Sequence, residues 1–261
     1  MSDCLNCRSV LPSNARFCPH CGMPVLAMSE PDEQERSPEQ LDGYFARALF
    51  RRLERQKEAG KYDTYLKRYR DSGFHRIVVL RLGQSEEQDS HSSFDVLLED
   101  LLDFFLIRFC GDINRIDLPE EILKYQGLDR KDIDFREMIL DYLQLEELGE
   151  IYYVDFLRMP LEKLKAAGKS FLFPEPDEKI LLIADQSLTG NCRFGFAFTE
   201  KALYWRAHMQ KPRMSAYSDL RTITPQEDWI NINGHFFNGG TTLNRRMSML
   251  LRRIQLLEER K

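Results

Sequence analysis

Four cysteines near the start of the sequence are spaced as metal ligands. Cys4 and Cys7 form one C-x-x-C pair, Cys18 and Cys21 form a second, and ten residues separate the pairs. Two intervening residues let both sulfurs of a pair turn toward one centre, and the connecting loop brings the second pair onto the first. The spacing predicts a tetrahedral site for one structural Zn²⁺ per chain. Four thiolate ligands leave no coordination position for a catalytic water.

A disulfide pair, a redox C-x-x-C motif and a chance arrangement are the alternatives to zinc. The sequence shows neither a thioredoxin-like strand–helix pattern nor a signal-peptide pattern, which favours zinc in a reducing compartment. Gly22 follows the second pair, where a left-handed backbone is often needed. The motif FCPHCG at residues 17–22, with its upstream C-x-x-C, resembles the short zinc ribbons at the start of many bacterial proteins. The resemblance implies a zinc ribbon over residues 1–26.

The remaining reactive side chains do not form a recognisable catalytic motif. The sequence contains no H-E-x-x-H, G-x-S-x-G, P-loop or G-x-G-x-x-G pattern. Cys110 and Cys192 lie in apolar or strand-like segments and are expected to be buried small hydrophobic residues. Glu99, Asp100 and Asp103 are expected on a solvated helix face. The sequence favours a non-catalytic protein, with an enzyme site assembled in the helical segment as an alternative.

Length and charge limit the classes of protein. The 261 residues suit two modest domains in addition to the ribbon. The net charge of −5 gives no support for nonspecific nucleic-acid binding. No apolar run approaches the roughly 20 residues of a membrane span, and we expect a cytoplasmic protein.

Residues 27–37 are polar and are predicted to form a flexible linker. Ser37 is predicted to cap a helix that has Pro38 in its first turn. One face of this helix is apolar, and the opposite face carries four arginines. These are Arg47, Arg51, Arg52 and Arg55. A solvated basic face is expected, and contact with phosphate is the alternative.

Helical periodicity dominates residues 38–168, which are predicted to form an all-α domain. The aromatic stripes within it are expected to pack a core. The apolar run at residues 77–80 fits either a helix or a short strand, and we favour the helix. Gly168 is predicted to end the last helix.

From Phe171 onward the period changes to that of short strands. Strands are predicted at residues 179–184, 194–199, 202–206, 214–217, 220–223, 229–232 and around residue 236. The dipeptide Asn233-Gly234 predicts a hairpin turn. Trp205 and Trp229 are expected in the core, and residues 241–261 are predicted to form an amphipathic helix. This pattern predicts a β-barrel or sandwich closed by a helix.

Several motifs in this region resemble the strands of bacterial pleckstrin-homology-like domains. The most specific is GFAFTEKALYWR at residues 195–206, accompanied by DEKILLIADQSLTGN, YSDL and WININGHFFN. The resemblance covers residues 169–261 and implies a scaffold that binds lipid, peptide or protein. The chain as a whole is therefore expected to be multidomain α+β.

The same region supplies the candidate partner-binding residues. Lys201, Arg206, Lys211 and Arg213 lie within thirteen positions, on or beside a predicted hairpin. Residues 169–261 contain 14 Lys and Arg against 10 Asp and Glu, which gives about +4. Because no aromatic or apolar finger for membrane insertion is evident beside these cations, we expect a protein partner, with anionic lipid as the alternative.

Two further alternatives concern other basic residues. The arginines of the terminal helix could meet anionic lipid or complement acidic residues of the same chain. A nucleic-acid-associated regulator would use Arg8, Arg16 and the basic helix face that runs from Arg47 to Arg55. The ribbon is poor in cations, and its thiolates add negative charge. The sequence therefore predicts a cytoplasmic interaction or adaptor protein.

Overall fold

The computed structural model describes residues 2–3, 9–11, 18, 20–22, 37–86, 91–114 and 118–259. These residues form helices and antiparallel sheets, so the fold is of the mixed α+β class. The chain divides into two compact units between Asp129 and Arg130. The predicted linker at residues 27–37 lies outside the described residues except for Ser37.

The first unit is mainly helical. Its elements are β1 (Ser2–Asp3), β2 (Val10–Leu11), α1 (Pro38–Arg55), α2 (Tyr62–Asp71), α3 (Phe74–Glu86) and α4 (His91–Phe109), with 3-10 turns at Ala59–Lys61 and Glu120–Tyr125. The ambiguous run at residues 77–80 lies inside α3, which confirms the helical prediction.

The start of α1 follows from its sequence. The Ser37 hydroxyl accepts a hydrogen bond from Gln40 N at 3.3 Å, and the Gln40 side chain accepts one from Ser37 N at 3.0 Å. This reciprocal capping box satisfies two main-chain donors that a helix start leaves unpaired. The predicted cap is therefore confirmed.

An aromatic cluster forms the core of the first unit. Phe45 stacks on Tyr69 with ring centroids 4.5 Å apart, and Phe74 stacks on Phe104 and Phe105 at 5.5 and 5.8 Å. All five rings are buried. The aromatic stripes therefore pack against one another, as the helical period predicts.

The second unit combines two sheets with three helices. Its elements are a 3-10 turn at Arg130–Asp132, α5 (Phe135–Leu143), β3 (Ile151–Tyr153), α6 (Leu161–Ser170), β4 (Ile180–Asp185), β5 (Gly195–Thr199), β6 (Ala202–Arg206), β7 (Arg213–Ala216), a 3-10 turn at Tyr217–Asp219, β8 (Ile223–Pro225), β9 (Ile230–Ile232), β10 (His235–Phe237) and α7 (Thr241–Glu258).

The two units divide between residues 129 and 130, earlier in the chain than the boundary between residues 168 and 169 that the change of sequence period predicts. Strand β3 pairs with β4, with Ile151 opposite Asp185 and Tyr153 opposite Ile183. Helix α5 packs against α7. A strand of three residues is too short to interrupt a helical period clearly, so residues 130–168 appear helical in sequence yet belong with the sheets. Helix α6 also continues through Gly168 to Ser170, so Gly168 is not its cap.

The sheets of the second unit are antiparallel and separate. One has the order β3-β4-β5-β6-β7 and the other the order β10-β9-β8. Within residues 130–259 no ladder joins the two sheets, so no barrel closes and the sandwich alternative describes them better.

The two tryptophans differ in burial. Trp205 Nε1 in β6 donates a hydrogen bond to Phe236 O in β10 at 2.8 Å, which connects the two sheets. Trp205 is buried as predicted, whereas Trp229 is only half-buried, against the Phe236 ring.

Two positions require an unusual backbone. Asn233 and Gly234 have φ of 49° and 83° and connect β9 to β10, which confirms the predicted hairpin. Gly195 has φ of 141°, and a Cβ there would lie 2.0 Å from the Ala184 carbonyl oxygen. Only glycine fits at the start of β5.

Candidate functional site

The predicted metal ligands are only partly described. Cys4 and Cys7 lie outside the described residues, whereas Cys18 and Cys21 are buried. Gly22 N donates to Cys18 O at 2.8 Å, and Gly22 has the expected positive φ of 71°. The described residues, which include two of the four cysteines, contain no group of three potential metal ligands.

The two remaining cysteines are buried, as the sequence predicts. Burial raises the pKa of both Cys110 and Cys192 to about 12. The Asp185 carboxylate adds to the shift at Cys192. Because the thiolate is the reactive form, both side chains are poor nucleophiles at neutral pH.

The basic face of α1 and the acidic face of α4 were both predicted to face solvent, but they contact each other. Arg52 pairs with Glu99 at 2.9 Å and with Asp103, and only 6% of its side chain is exposed. Asp100 is also buried, and its carboxylate accepts a hydrogen bond from Gly127 N at 3.0 Å. Helices α1 and α4 pack together, so the charges neutralise each other. This pairing removes Arg52 from the predicted basic face and weakens the nucleic-acid alternative.

The four candidate partner-binding cations do not converge. Lys201 lies in the two-residue turn between β5 and β6 and pairs with Asp177 at 3.2 Å. Arg206 ends β6, and Lys211 and Arg213 follow it toward β7. A strand of five residues spans roughly 15 Å, so Lys201 lies at the opposite end of the sheet from the other three.

The end of the sheet that carries Arg206 is formed by two loops, residues 186–194 and 207–212, here named the loop end. Antiparallel pairing of Gly195 with both Asp185 and Arg206 places these loops side by side. Arg206 joins them, because its Nε donates to Gln210 O at 3.1 Å and its guanidinium lies 5.1 Å from the Phe194 ring centroid. Its Nη1 also donates to Ser170 Oγ at 2.8 Å.

Each loop of the loop end presents an exposed apolar side chain. Leu188 is 96% exposed and Met209 is 88% exposed, and Met209 has a positive φ of 59°. Exposed apolar side chains therefore do accompany the cations, contrary to the sequence-based expectation. The exposure of Leu188 and Met209 could not be predicted from the sequence, because each is a single apolar residue within a mainly polar loop.

The two loops of the loop end carry charges of one sign, although Glu150, which precedes β3 at the same end of the sheet, lies half-buried there. Residues 186–194 and 206–213 contain no Asp or Glu, while Arg193, Lys211 and Arg213 are exposed. The nearest acid along the chain, Asp185, is 4% exposed. Its carboxylate accepts hydrogen bonds from Ser187 N at 2.9 Å and Cys192 N at 3.1 Å. Sequence reasoning missed Arg193 and Leu188, although the absence of acids from both loops is visible in the sequence.

Two arginines of the terminal helix, Arg246 and Arg252, make contacts within the fold, whereas Arg245 is exposed. Arg246 in α7 is 4% exposed and donates to Leu143 O at 3.2 Å, at the end of α5. It also pairs with Glu147 at 3.1 Å. Arg252 donates to Ile223 O in β8 at 3.1 Å. Of the two alternatives for this helix, these contacts support the intrachain one.

The chain was compared with family models, curated proteins and solved structures. No family model, curated protein or solved structure matches the chain. Among the described helices, none has the length and apolar character needed to cross a bilayer. The loop end is therefore interpreted from its own chemistry.

Proposed function

We propose that the protein is a non-catalytic adaptor that docks on an anionic membrane surface through the loop end. The observation that carries this proposal is the combination of two exposed apolar tips, Leu188 and Met209, with three exposed cations on the acid-free loops and at the adjoining start of β7. Peripheral membrane proteins use this combination, because cations approach lipid phosphates while apolar side chains enter the interface.

The energies are sufficient for weak, reversible binding. Each Lys or Arg near an anionic surface contributes about 1 kcal/mol, so Arg193, Lys211 and Arg213 supply about 3 kcal/mol. Partial burial of Leu188 and Met209 adds about 1.5 kcal/mol each. The sum of about 6 kcal/mol corresponds to dissociation constants on the order of 10–100 μM in accessible lipid.

The resemblance to pleckstrin-homology-like domains is part of this proposal. Two separate antiparallel sheets followed by a terminal helix support such a scaffold. The protein partner expected from the sequence rested on the lack of an apolar finger, and Leu188 and Met209 remove that reason. If the chain does not bind anionic vesicles, a protein partner is the alternative.

Vesicle sedimentation of the full chain tests the proposal. We expect binding to vesicles that contain phosphatidylserine, little binding to phosphatidylcholine alone, and weaker binding as salt increases. The double substitution Leu188→Ser with Met209→Ser should reduce binding roughly a hundredfold, and the double substitution Lys211→Gln with Arg213→Gln should reduce it roughly thirtyfold.

Matched controls come from the remainder of the same unit. Leu157 is 99% exposed but follows β3 at the opposite end of the sheet, so Leu157→Ser should leave binding unchanged. Lys201→Gln should also have no effect, because Lys201 lies at that opposite end. Equal loss of binding in these controls, or no binding to anionic vesicles by the unmodified chain, would refute docking through the loop end.

We also infer that Cys4, Cys7, Cys18 and Cys21 hold one structural Zn²⁺ in a ribbon. Their spacing supports this, as does the buried turn of Cys18 and Cys21 with its positive-φ Gly22. A segment of this size buries little apolar surface, so metal binding would supply its folding free energy.

Elemental analysis tests the zinc proposal. We expect one zinc per chain, lost on Cys7→Ser or Cys21→Ser and retained in Cys110→Ala, which alters a cysteine outside the motif. Stoichiometric zinc in the double variant Cys7→Ser with Cys21→Ser would contradict the assignment.

A further inference from the structure

The second unit contains a cavity at the end of the sheet opposite the loop end. Its volume is about 560 Å³. It lies between the first turn of α5, the segment after β3, the start of β4 and the turn between β5 and β6. Pockets of roughly 300–1,000 Å³ hold small organic molecules.

Arg130 is one of five charged residues that line the cavity. Its guanidinium carbon lies 3.6 Å from the centroid of the Phe135 ring. Its Nε is 3.8 Å from a Glu258 carboxylate oxygen, too far for a hydrogen bond. Among the described residues this buried Nε has no hydrogen-bond partner. The guanidinium is therefore fixed in position by stacking and a long ion pair.

A guanidinium whose N–H groups lack hydrogen-bond partners favours binding of an additional hydrogen-bond acceptor. Burial lowers the pKa of Arg130, since desolvation disfavours its charged form. Because Nε is itself inaccessible, a ligand oxygen would bind the two Nη groups, and a planar guanidinium is suited to a carboxylate because two parallel hydrogen bonds form.

The charges of the lining indicate the charge of the ligand. Arg130, Arg136 and Lys179 are cationic, whereas Asp134 and Glu200 are anionic. Asp134 already accepts hydrogen bonds from Arg136 N and Glu137 N as the cap of α5. Lys179 lies 4.0 Å from Glu200. The lining has a net charge of +1, and Glu258 behind Arg130 offsets one further cation, so the site suits a monoanion better than a dianion.

The other lining residues are apolar, although charged and polar groups provide more of the cavity surface, and these apolar residues indicate the body of the ligand. Val154 and Phe156 line the cavity on one side, and Ile180 and Leu181 line it at the start of β4. An apolar ring or a short aliphatic chain would contact these side chains, while a charged group contacts Arg130. A bare inorganic ion would leave most of the volume unused.

We propose that this cavity binds a small organic monocarboxylate, with the carboxylate on Arg130 and an apolar body against Val154 and Phe156. The site lies at the opposite end of the sheet from the loop end, so benzoate binding and vesicle binding are tested by different variants.

Titration of the full chain with benzoate, monitored by NMR chemical shifts and by calorimetry, tests this proposal. We expect saturable benzoate binding, weaker binding of phenyl phosphate and none of inorganic phosphate. Arg130→Gln should weaken benzoate binding at least about tenfold. Val154→Trp, which fills the cavity and keeps Arg130, should also abolish binding while the circular-dichroism spectrum stays unchanged.

The matched control is Arg158→Gln, because Arg158 is 89% exposed and does not line the cavity. This variant should bind benzoate as the unmodified chain does. Absence of benzoate binding, undiminished binding in Val154→Trp, or equally tight binding of inorganic phosphate would overturn the proposal. If Arg130→Gln fails to fold, Val154→Trp alone decides the outcome.

Discussion

At the scale of single residues, Gly195 has the strictest steric requirement in the C-terminal unit. Any side chain there combines an unfavourable φ of 141° with a Cβ only 2.0 Å from Ala184 O. Gly195→Ala should therefore separate β5 from β4 locally and cost more than about 3 kcal/mol. Urea unfolding followed by tryptophan fluorescence would measure the loss.

Gly234→Ala is the matched control for that substitution. Gly234 also has a positive φ, 83°, but an added Cβ would meet nothing within 4 Å. Its cost should be limited to the backbone term of about 1–2 kcal/mol. Equal costs at the two positions would show that the close approach to Ala184 O is unimportant.

A second residue-scale prediction concerns alkaline pH. Burial, aided by a hydrogen bond to Glu178 at 3.1 Å, raises the pKa of Tyr204 to about 12. Between pH values of about 10 and 12 the unfolded chain loses this proton and the folded chain keeps it. The free energy of unfolding should therefore fall as the pH rises through this range.

Tyr204→Phe isolates the contribution of this side chain. The decline in the free energy of unfolding between about pH 10 and 12 should be shallower in the variant than in the unmodified protein. Parallel declines would show that Tyr204 does not titrate differently in the two states. Denaturant titrations at several pH values give the comparison.

At the scale of elements, Arg246 connects α7 to the end of α5. Arg246→Ala removes hydrogen bonds to two carbonyl oxygens and the pair with Glu147, so it should cost about 2–3 kcal/mol. Arg245→Ala, at the exposed neighbouring position, should change stability by less than about 0.5 kcal/mol. Thermal unfolding of both variants tests whether this contact stabilises the unit, and equal stability would count against it.

The elements also show which parts of the site the sequence could predict. Strands β4, β5 and β6 are continuous apolar runs, and a two-residue turn joins β5 to β6, so these strands could be predicted from the sequence. Strand β8 begins at Ile223, later than the predicted 220–223, because a 3-10 turn at Tyr217–Asp219 precedes it. Lys201 and Arg206 are close in the sequence and were therefore predicted to act together, but strand β6 places their side chains at opposite ends of the sheet. The exposed tips depend on loop conformation, which periodicity does not describe.

At the scale of the whole molecule, the boundary between the two units can be tested with fragments. Residues 130–261 retain the β3–β4 pairing and the contact of α5 with α7. Residues 169–261 lose both and would expose apolar surface on β4 and α7. We expect cooperative unfolding for the longer fragment and poor cooperativity for the shorter one. Similar cooperativity in both would favour the boundary at residues 168 and 169.

The fold class could be predicted from the period change at Phe171, whereas the boundary could not. Membership of α5 in the second unit depends on contacts with α7, about a hundred residues later in the chain. Local sequence patterns contain no record of such distant pairing. The cavity beside Arg130 was missed for the same reason, since segments far apart in sequence line it.

The contact of Arg246 with Leu143 also has a consequence for synthesis of the chain. The two residues are 103 positions apart, so α5 leaves the ribosome long before α7 exists. Until α7 emerges, the apolar surfaces that receive Leu250, Leu251 and Ile254 stay uncovered on the nascent chain. The helical unit completes its core earlier and folds first during translation. We expect nascent chains stalled before residue 241 to recruit chaperones more strongly than chains that have released α7.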